Sequence, residues 1–162
     1  MKINKQGFTL MEILIVVIII SGFAAMIYPV YTSAIERARA SEAVNMLGAI
    51  QAAQEKHYVM YEEYATTFKD IRDFSPSIDN FDLNSDRFNT EYFLYQMDST
   101  NNTVTATRIL PGQPDSPADK GYGFAAKYED GFIECTYTTE DGDKVCASLT
   151  DHEATNSTYK IY

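Results

Sequence analysis

Positive charge is scarce in this sequence. Lysine and arginine number 13 against 23 aspartates and glutamates, a formal net charge of −10. Binding to nucleic acid calls for clustered Lys and Arg that neutralise phosphates, so this balance argues against a nucleic-acid partner. Histidine is nearly missing. His57 and His152 are too few and too widely separated for a zinc site or a catalytic triad. There is no internal repeat and no low-complexity tract. No nucleophile, general base and stabiliser converge in the chain, so neither an enzyme nor a bound cofactor is expected. The N-terminus has no A-x-A site after its apolar run, so it does not read as a secretory signal peptide of the usual kind.

What is present is one long apolar run. A short polar head, residues 1–7, carries Lys2 and Lys5 and is followed by 24 residues from Phe8 to Tyr31 with a single charge, Glu12. As a helix at ~1.5 Å per residue this run is ~36 Å long, enough to cross a ~30 Å hydrocarbon core. The two lysines place the head on the cytoplasmic side, giving a single span. Glu12 lies one turn inside the apolar segment. A carboxylate there costs about 2.5–3.5 kcal/mol on insertion scales, so it calls for a positively charged partner.

Ser21-Gly22 and Pro29 weaken this first helix. An interior proline deletes one hydrogen bond and clashes with the preceding turn, which predicts a kink at Pro29, with Gly22 as a second weak point. Helix signals continue beyond Thr32. Ala43, Leu47, Ile50, Ala53, His57 or Tyr58, Tyr61 and Tyr64 recur at three- and four-residue spacing. The expectation is one helix from Phe8 to Tyr64, apolar all round in residues 8–31 and amphipathic in residues 32–64. Glu36, Arg37, Arg39 and Glu42 read as a solvated surface where the helix leaves the bilayer, with contacts between neighbouring subunits as the alternative.

Residues 65–90 read as a connection. Phe68, Ile71 and Phe74 face inward from a short helical turn that Ser75-Pro76 stops. From Glu91 the periodicity shifts toward two. Strands are expected over 91–97, 103–110, 122–128 and 132–137, with a short edge piece at 144–147 and a loop over 111–119. The fold class is therefore α+β: a long N-terminal helix packed on a C-terminal antiparallel sheet of about four strands within 91–162.

The stretch Gly7-Phe8-Thr9-Leu10-Met11-Glu12, followed by the long apolar helix, resembles the type IV pilin family, whose signal is shared by pilins and type II secretion pseudopilins. The resemblance is close over residues 1 to about 65 and architectural beyond. It implies a pilin fold and a leader of residues 1–7, cut between Gly7 and Phe8 by a membrane peptidase that also N-methylates Phe8. Losing Lys2 and Lys5 would leave mature side chains summing to 11 − 23 = −12. The resemblance makes Glu12 the assembly carboxylate, paired with the Phe8 amine of a neighbouring subunit, and Pro29 the helix-kinking proline. It further implies an inner-membrane precursor, an assembly platform, partners among its own copies and other pilins, and an extracellular filament serving adhesion, motility or uptake. A pseudopilin of type II secretion and a minor or tip pilin with a binding role are the alternatives. Cys135 and Cys146 fall in the exported part, where a disulfide is expected, as in many pilins.

Other candidates have plainer readings. Glu140-Asp141-Gly142-Asp143 has the carboxylates of a calcium loop, and some pseudopilins bind calcium in this region. It lacks EF-hand spacing, so an acidic turn without metal is expected. Asn101-Asn102-Thr103 and Asn156-Ser157-Thr158 fit the glycosylation acceptor pattern, but use is not expected for a bacterial or archaeal signal. Tyr28, Tyr31, Tyr58, Tyr61 and Tyr64 read as packing and interface residues rather than an electron path.

Overall fold

A computed structural model describes residues 9–75, 86–111, 113–118, 121–150 and 154–161. The chain divides into two compact units, residues 1–36 and 37–162. Helix α1 runs from Leu10 to Tyr61 without a break, with Pro29 inside it. In the first unit its side chains are exposed almost throughout. The hydroxyls of Ser21 and Thr32 turn back onto the carbonyls of Val17 and Pro29, at 2.7 and 3.0 Å, so these polar side chains find partners on the helix itself.

In the second unit the same helix becomes one-sided. Ala40, Ala43, Leu47, Ile50 and Ala53 are fully buried, a stripe at three- and four-residue spacing. Polar residues complete it. Gln51 donates to the carbonyls of Lys127 and Phe132, at 2.8 and 3.4 Å. His57 meets the Glu63 carbonyl at 2.8 Å. The helix stops at Tyr61 rather than Tyr64, because Glu62 takes a left-handed conformation (φ 60°) while its N–H still reaches the Tyr58 carbonyl at 2.8 Å. Tyr58 and Tyr61 are exposed, and His57 occupies the buried position they leave.

A short helix α2 (Phe68–Ile71) and a 3-10 turn (Arg72–Phe74) follow, burying Phe68 and Ile71. The strands are β1 (Arg87–Asn89), β2 (Phe93–Asp98), β3 (Thr103–Leu110), β4 (Gln113–Pro117), β5 (Tyr122–Lys127), β6 (Ile133–Tyr137) and β7 (Thr158–Ile161), with helix α3 (Glu140–Ala147) between β6 and β7. Six of them form an antiparallel path β1-β2-β3-β5-β6-β7, and β4 pairs with the end of β3. About four strands were expected. The extra ones are short: β1 has three residues and β7 four. Residues 111–119 were expected as a loop, yet 113–117 form β4. The supposed edge piece at 144–147 belongs to α3.

One row of residues crosses the six-stranded path on its inner face: Phe88, Tyr95, Ala106, Phe124, Cys135 and Tyr159, each paired with the next. All six are buried. The outer row Gln96, Thr105, Ala125, Glu134, Lys160 is polar or small, as the two-residue side-chain period requires. Gly121 precedes β5 with φ +56°. A Cβ there would stand 2.5 Å from Thr138 Oγ1 and 2.6 Å from Thr139 Cγ2, so the close approach of the β6–α3 connection excludes a side chain.

Candidate functional site

The candidate site is the first turn of α1 together with the apolar face that follows it. Thr9 directly precedes α1 and is not helical. Its Oγ1 accepts from the Glu12 N–H at 3.2 Å, and its carbonyl accepts from the N–H groups of Glu12 and Ile13 at 3.2 and 3.3 Å. Thr9 is therefore the helix cap, and Thr9-x-x-Glu12 has the spacing of a capping box. Glu12 lies in the first turn, where the exposed N–H groups at the positive end of the helix favour a carboxylate. The sequence suggested the Phe8 amine, of the same helix or of a neighbour, as the partner of Glu12, and not this cap. The threonine three residues before it was the signal for this local role.

From Leu10 to Tyr31 the helix presents large apolar side chains that no described residue covers. Leu10 is 93% exposed, Met26 75%, Tyr28 70% and Val30 69%. No residue of the helix's most apolar stretch is buried. By length and composition this helix can cross a membrane. Such a surface needs lipid or other apolar helices. Gly22 sits inside it with open space where a Cβ would stand, and Pro29 lies seven residues further on. Gly7 and Phe8, the expected cleavage pair, lie outside the described residues.

Residues 2–28 match the family described as the prokaryotic N-terminal methylation motif. The chain carries a type IV pilin signal at its N-terminus. Gly7, Phe8, Glu12 and Gly22 fall within it, and Pro29 follows directly. The chain is also similar to the fimbrial protein EcpC of Eikenella corrodens, at 38% identity over 58 residues, which is 36% of this chain and 38% of that protein. It therefore spans well under half the length of this curated relative.

The remaining candidates are Glu36 and residues of the second unit. Cys135 of β6 and Cys146 of α3 are joined by a disulfide, with Cα atoms 5.7 Å apart. Residues 140–143, expected as an acidic turn, are instead the first half of α3. Thr139 caps that helix by accepting from the Gly142 N–H at 3.1 Å, and the acids sit at its positive end. Lys144 pairs with Glu140 at 2.7 Å, which raises the Lys144 pKa. Tyr159 Oη donates to Asp143 Oδ1 at 2.9 Å, and that bond raises the Tyr159 pKa. Among the described residues no group of three or more His, Cys, Asp or Glu could hold a metal ion. Glu36, expected in a solvated surface, is 6% exposed. Arg39 stacks on the Tyr92 ring, 4.1 Å from its centroid. His57 is buried against Tyr61 and Phe74. His152 lies outside the described residues.

Proposed function

We propose that this chain is a structural subunit of a type IV pilus. The observation that carries the reading is the methylation motif at residues 2–28, set directly on a helix whose apolar face is left bare. In this reading a prepilin peptidase cuts between Gly7 and Phe8 and methylates Phe8. The chain is a substrate of that enzyme and not an enzyme itself. The mature subunit waits in the inner membrane with its sheet outside, and an assembly platform then adds it to a filament. Head-to-tail contacts that do not close generate an open fibre. The apolar helices exchange lipid for one another, and Glu12 meets the new Phe8 amine of a neighbour, so that neither charge is buried alone. The EcpC similarity supports the fimbrial reading over a plain membrane anchor.

The test is mass spectrometry of filaments sheared from the cell surface. The expected result is this polypeptide beginning at N-methylated Phe8. Filaments that lack the chain, or that hold it with residues 1–7 attached, overturn the reading. A secretion pseudopilin with the same signal would leave the surface pili of a deletion strain unchanged.

A further inference from the structure

The outer face of the sheet carries a small recess at the β5–β6 hairpin. Its volume is about 30 Å³, and Thr103, Ala125, Lys127, Asp130, Phe132 and Glu134 line it. The strand register explains why it is there. Ala125 stands between Thr105 of β3 and Glu134 of β6, and Lys127 stands beside Thr103. The single methyl of Ala125 leaves a low floor among longer side chains. The walls are held from the helix side. Gln51 of α1 donates to the carbonyls of Lys127 and Phe132, at 2.8 and 3.4 Å, so one side chain grips both arms of the hairpin. Tyr128 ties the same hairpin to β3: its N–H donates to the Asn102 carbonyl at 3.0 Å, and its Oη to the Thr103 carbonyl at 3.3 Å. The recess is therefore built into the fold rather than formed by loose side chains.

The polar groups around it have hydrogen-bonding capacity to spare. Glu134 faces Lys160 across β6 and β7, yet Lys160 Nζ lies over the Phe132 ring, 4.9 Å from its centroid. Among the described residues the half-buried Glu134 carboxylate then forms neither an ion pair nor a hydrogen bond, and the Thr103 hydroxyl has no partner. Lys127 Nζ reaches Asp130 only at 3.8 Å, beyond hydrogen-bond range. Formal charges at the recess cancel, Lys127 and Lys160 against Asp130 and Glu134. An ammonium ligand would meet Lys127, and a carboxylate ligand would meet Glu134 and Asp130. A neutral group that both donates and accepts suits all of them. We infer that the recess seats a hydroxyl-bearing corner of a neutral saccharide. Its volume holds one or two water-sized groups, so a hydroxymethyl or a pair of ring hydroxyls enters and displaces water. Phe132 supplies apolar contact for the carbon skeleton, and the rest of the sugar lies outside on the sheet. This inference does not depend on the filament reading.

The isotope-labelled full-length chain, in micelles of a detergent without a sugar headgroup, is titrated with the methyl glycosides of glucose, galactose, mannose and N-acetylglucosamine. Glycerol serves as the generic polyol, and methylammonium chloride and sodium acetate as charged probes. Amide NMR signals are followed. The expected result is a saturable shift of the amides of Thr103, Ala125, Lys127 and Glu134 with at least one glycoside. Glu134→Gln, which keeps the shape and loses the charged acceptor, should weaken binding about tenfold. Ala125→Val, which fills the floor with a residue that suits a strand, should abolish it. Thr107→Ala, on the same face but not lining the recess, should bind like the unaltered chain. The amide spectrum of each variant reports its fold. The inference is overturned if no glycoside shifts these amides, if glycerol or a charged probe shifts them equally, or if Glu134→Gln and Ala125→Val still bind. Shifts of the same amides on concentrating the protein alone would show a second copy's side chain filling the recess, and would overturn it too.

Discussion

Gln54 holds Ala65 by both ends of its amide: its Nε2 donates to the Ala65 carbonyl at 3.0 Å, and its Oε1 accepts from the Ala65 N–H at 2.9 Å. Gln54 is fully buried and Ala65 is 5% exposed. Eleven residues apart in sequence, the two bring the chain that leaves α1 back against the helix. Truncation would leave a buried donor and acceptor unsatisfied at once. Gln54→Ala should therefore cost about 2–4 kcal/mol, more than a single lost hydrogen bond, with the apolar stripe otherwise intact. Urea unfolding of the full chain in micelles checks this; a loss under about 1 kcal/mol would mean that the clamp does not hold the turn.

The turn it closes is strained. Glu62 ends the helix in the left-handed region that glycine occupies without penalty. Glu62→Gly should raise stability by about 1 kcal/mol, whereas Glu62→Val should lower it. Thermal unfolding of the pair reads the difference directly.

Tyr95 presents the opposite situation to Gln54. Its ring is stacked on Phe88 at 4.8 Å, yet its hydroxyl is buried and finds no hydrogen-bond partner among the described residues. Burial pushes its pKa well above the ordinary tyrosine value, with Glu42 adding to the shift. Tyr95→Phe should leave stability unchanged or raise it by about 1 kcal/mol. Tyr128→Phe is the control, since that hydroxyl donates to the Thr103 carbonyl at 3.3 Å and its loss should cost about 1 kcal/mol.

Much of this architecture was legible from periodicity. The stripe Ala43, Leu47, Ile50, Ala53 was readable because nothing but a helix gives apolar residues that spacing. The strands β2, β3, β5 and β6 were readable because their alternation is long enough to count. Gln51 and Gln54 escaped because a polar residue in a buried stripe is invisible until its partner, remote in sequence, is known. Helix α3 escaped because Lys144-Val145-Cys146-Ala147 is too short to show a period. Its true signal was Thr139, a cap residue placed before a run of acids. Strand β7 was hidden by brevity, although Asn156 and Ser157, both at positive φ, build the tight turn that leads into it. At the candidate site the charge pattern exposed Glu12 at once, while Thr9 went unread because its hydroxyl acts on the backbone.

Asp98 supplies a pH dependence. Its carboxylate accepts from Asn101 Nδ2 at 2.6 Å and from the Thr100 N–H at 2.9 Å, and these bonds, the Asn101 side chain first, hold its pKa below the ordinary carboxylate value. A group whose folded pKa is depressed contributes stability that is complete above its unfolded pKa, about 3.9, and is lost as pH falls through the lower folded value. The β2–β3 turn should therefore loosen only in acid. Asp98→Asn should remove that acid dependence while leaving the difference at neutral pH small, because the site is exposed. Amide hydrogen exchange at Thr100 and Asn101 from pH 5 downward reads it; identical profiles for both proteins would show that another carboxylate governs the turn.

The local role of Glu12 and its proposed role in assembly can be separated. As a first-turn acid behind the Thr9 cap it stabilises the helix start by about 0.3–1 kcal/mol, an effect that only alters fraying of the first turn. In the proposed role, as the carboxylate that answers a neighbour's Phe8 amine, it would decide whether subunits assemble. Thr9→Ala removes the cap and keeps the charge; Glu12→Ala removes the charge and keeps the cap. If assembly rests on charge, Glu12→Ala is processed between Gly7 and Phe8 but forms few or no filaments, while Thr9→Ala still forms them. Glu12→Gln, which preserves shape and hydrogen bonding, should fail like Glu12→Ala, since an uncharged side chain cannot compensate an ammonium away from water. Immunoblots of processed subunit and of sheared filaments from the three strains score the outcome. Normal filaments from Glu12→Gln would place the requirement in the helix cap rather than in the ion pair.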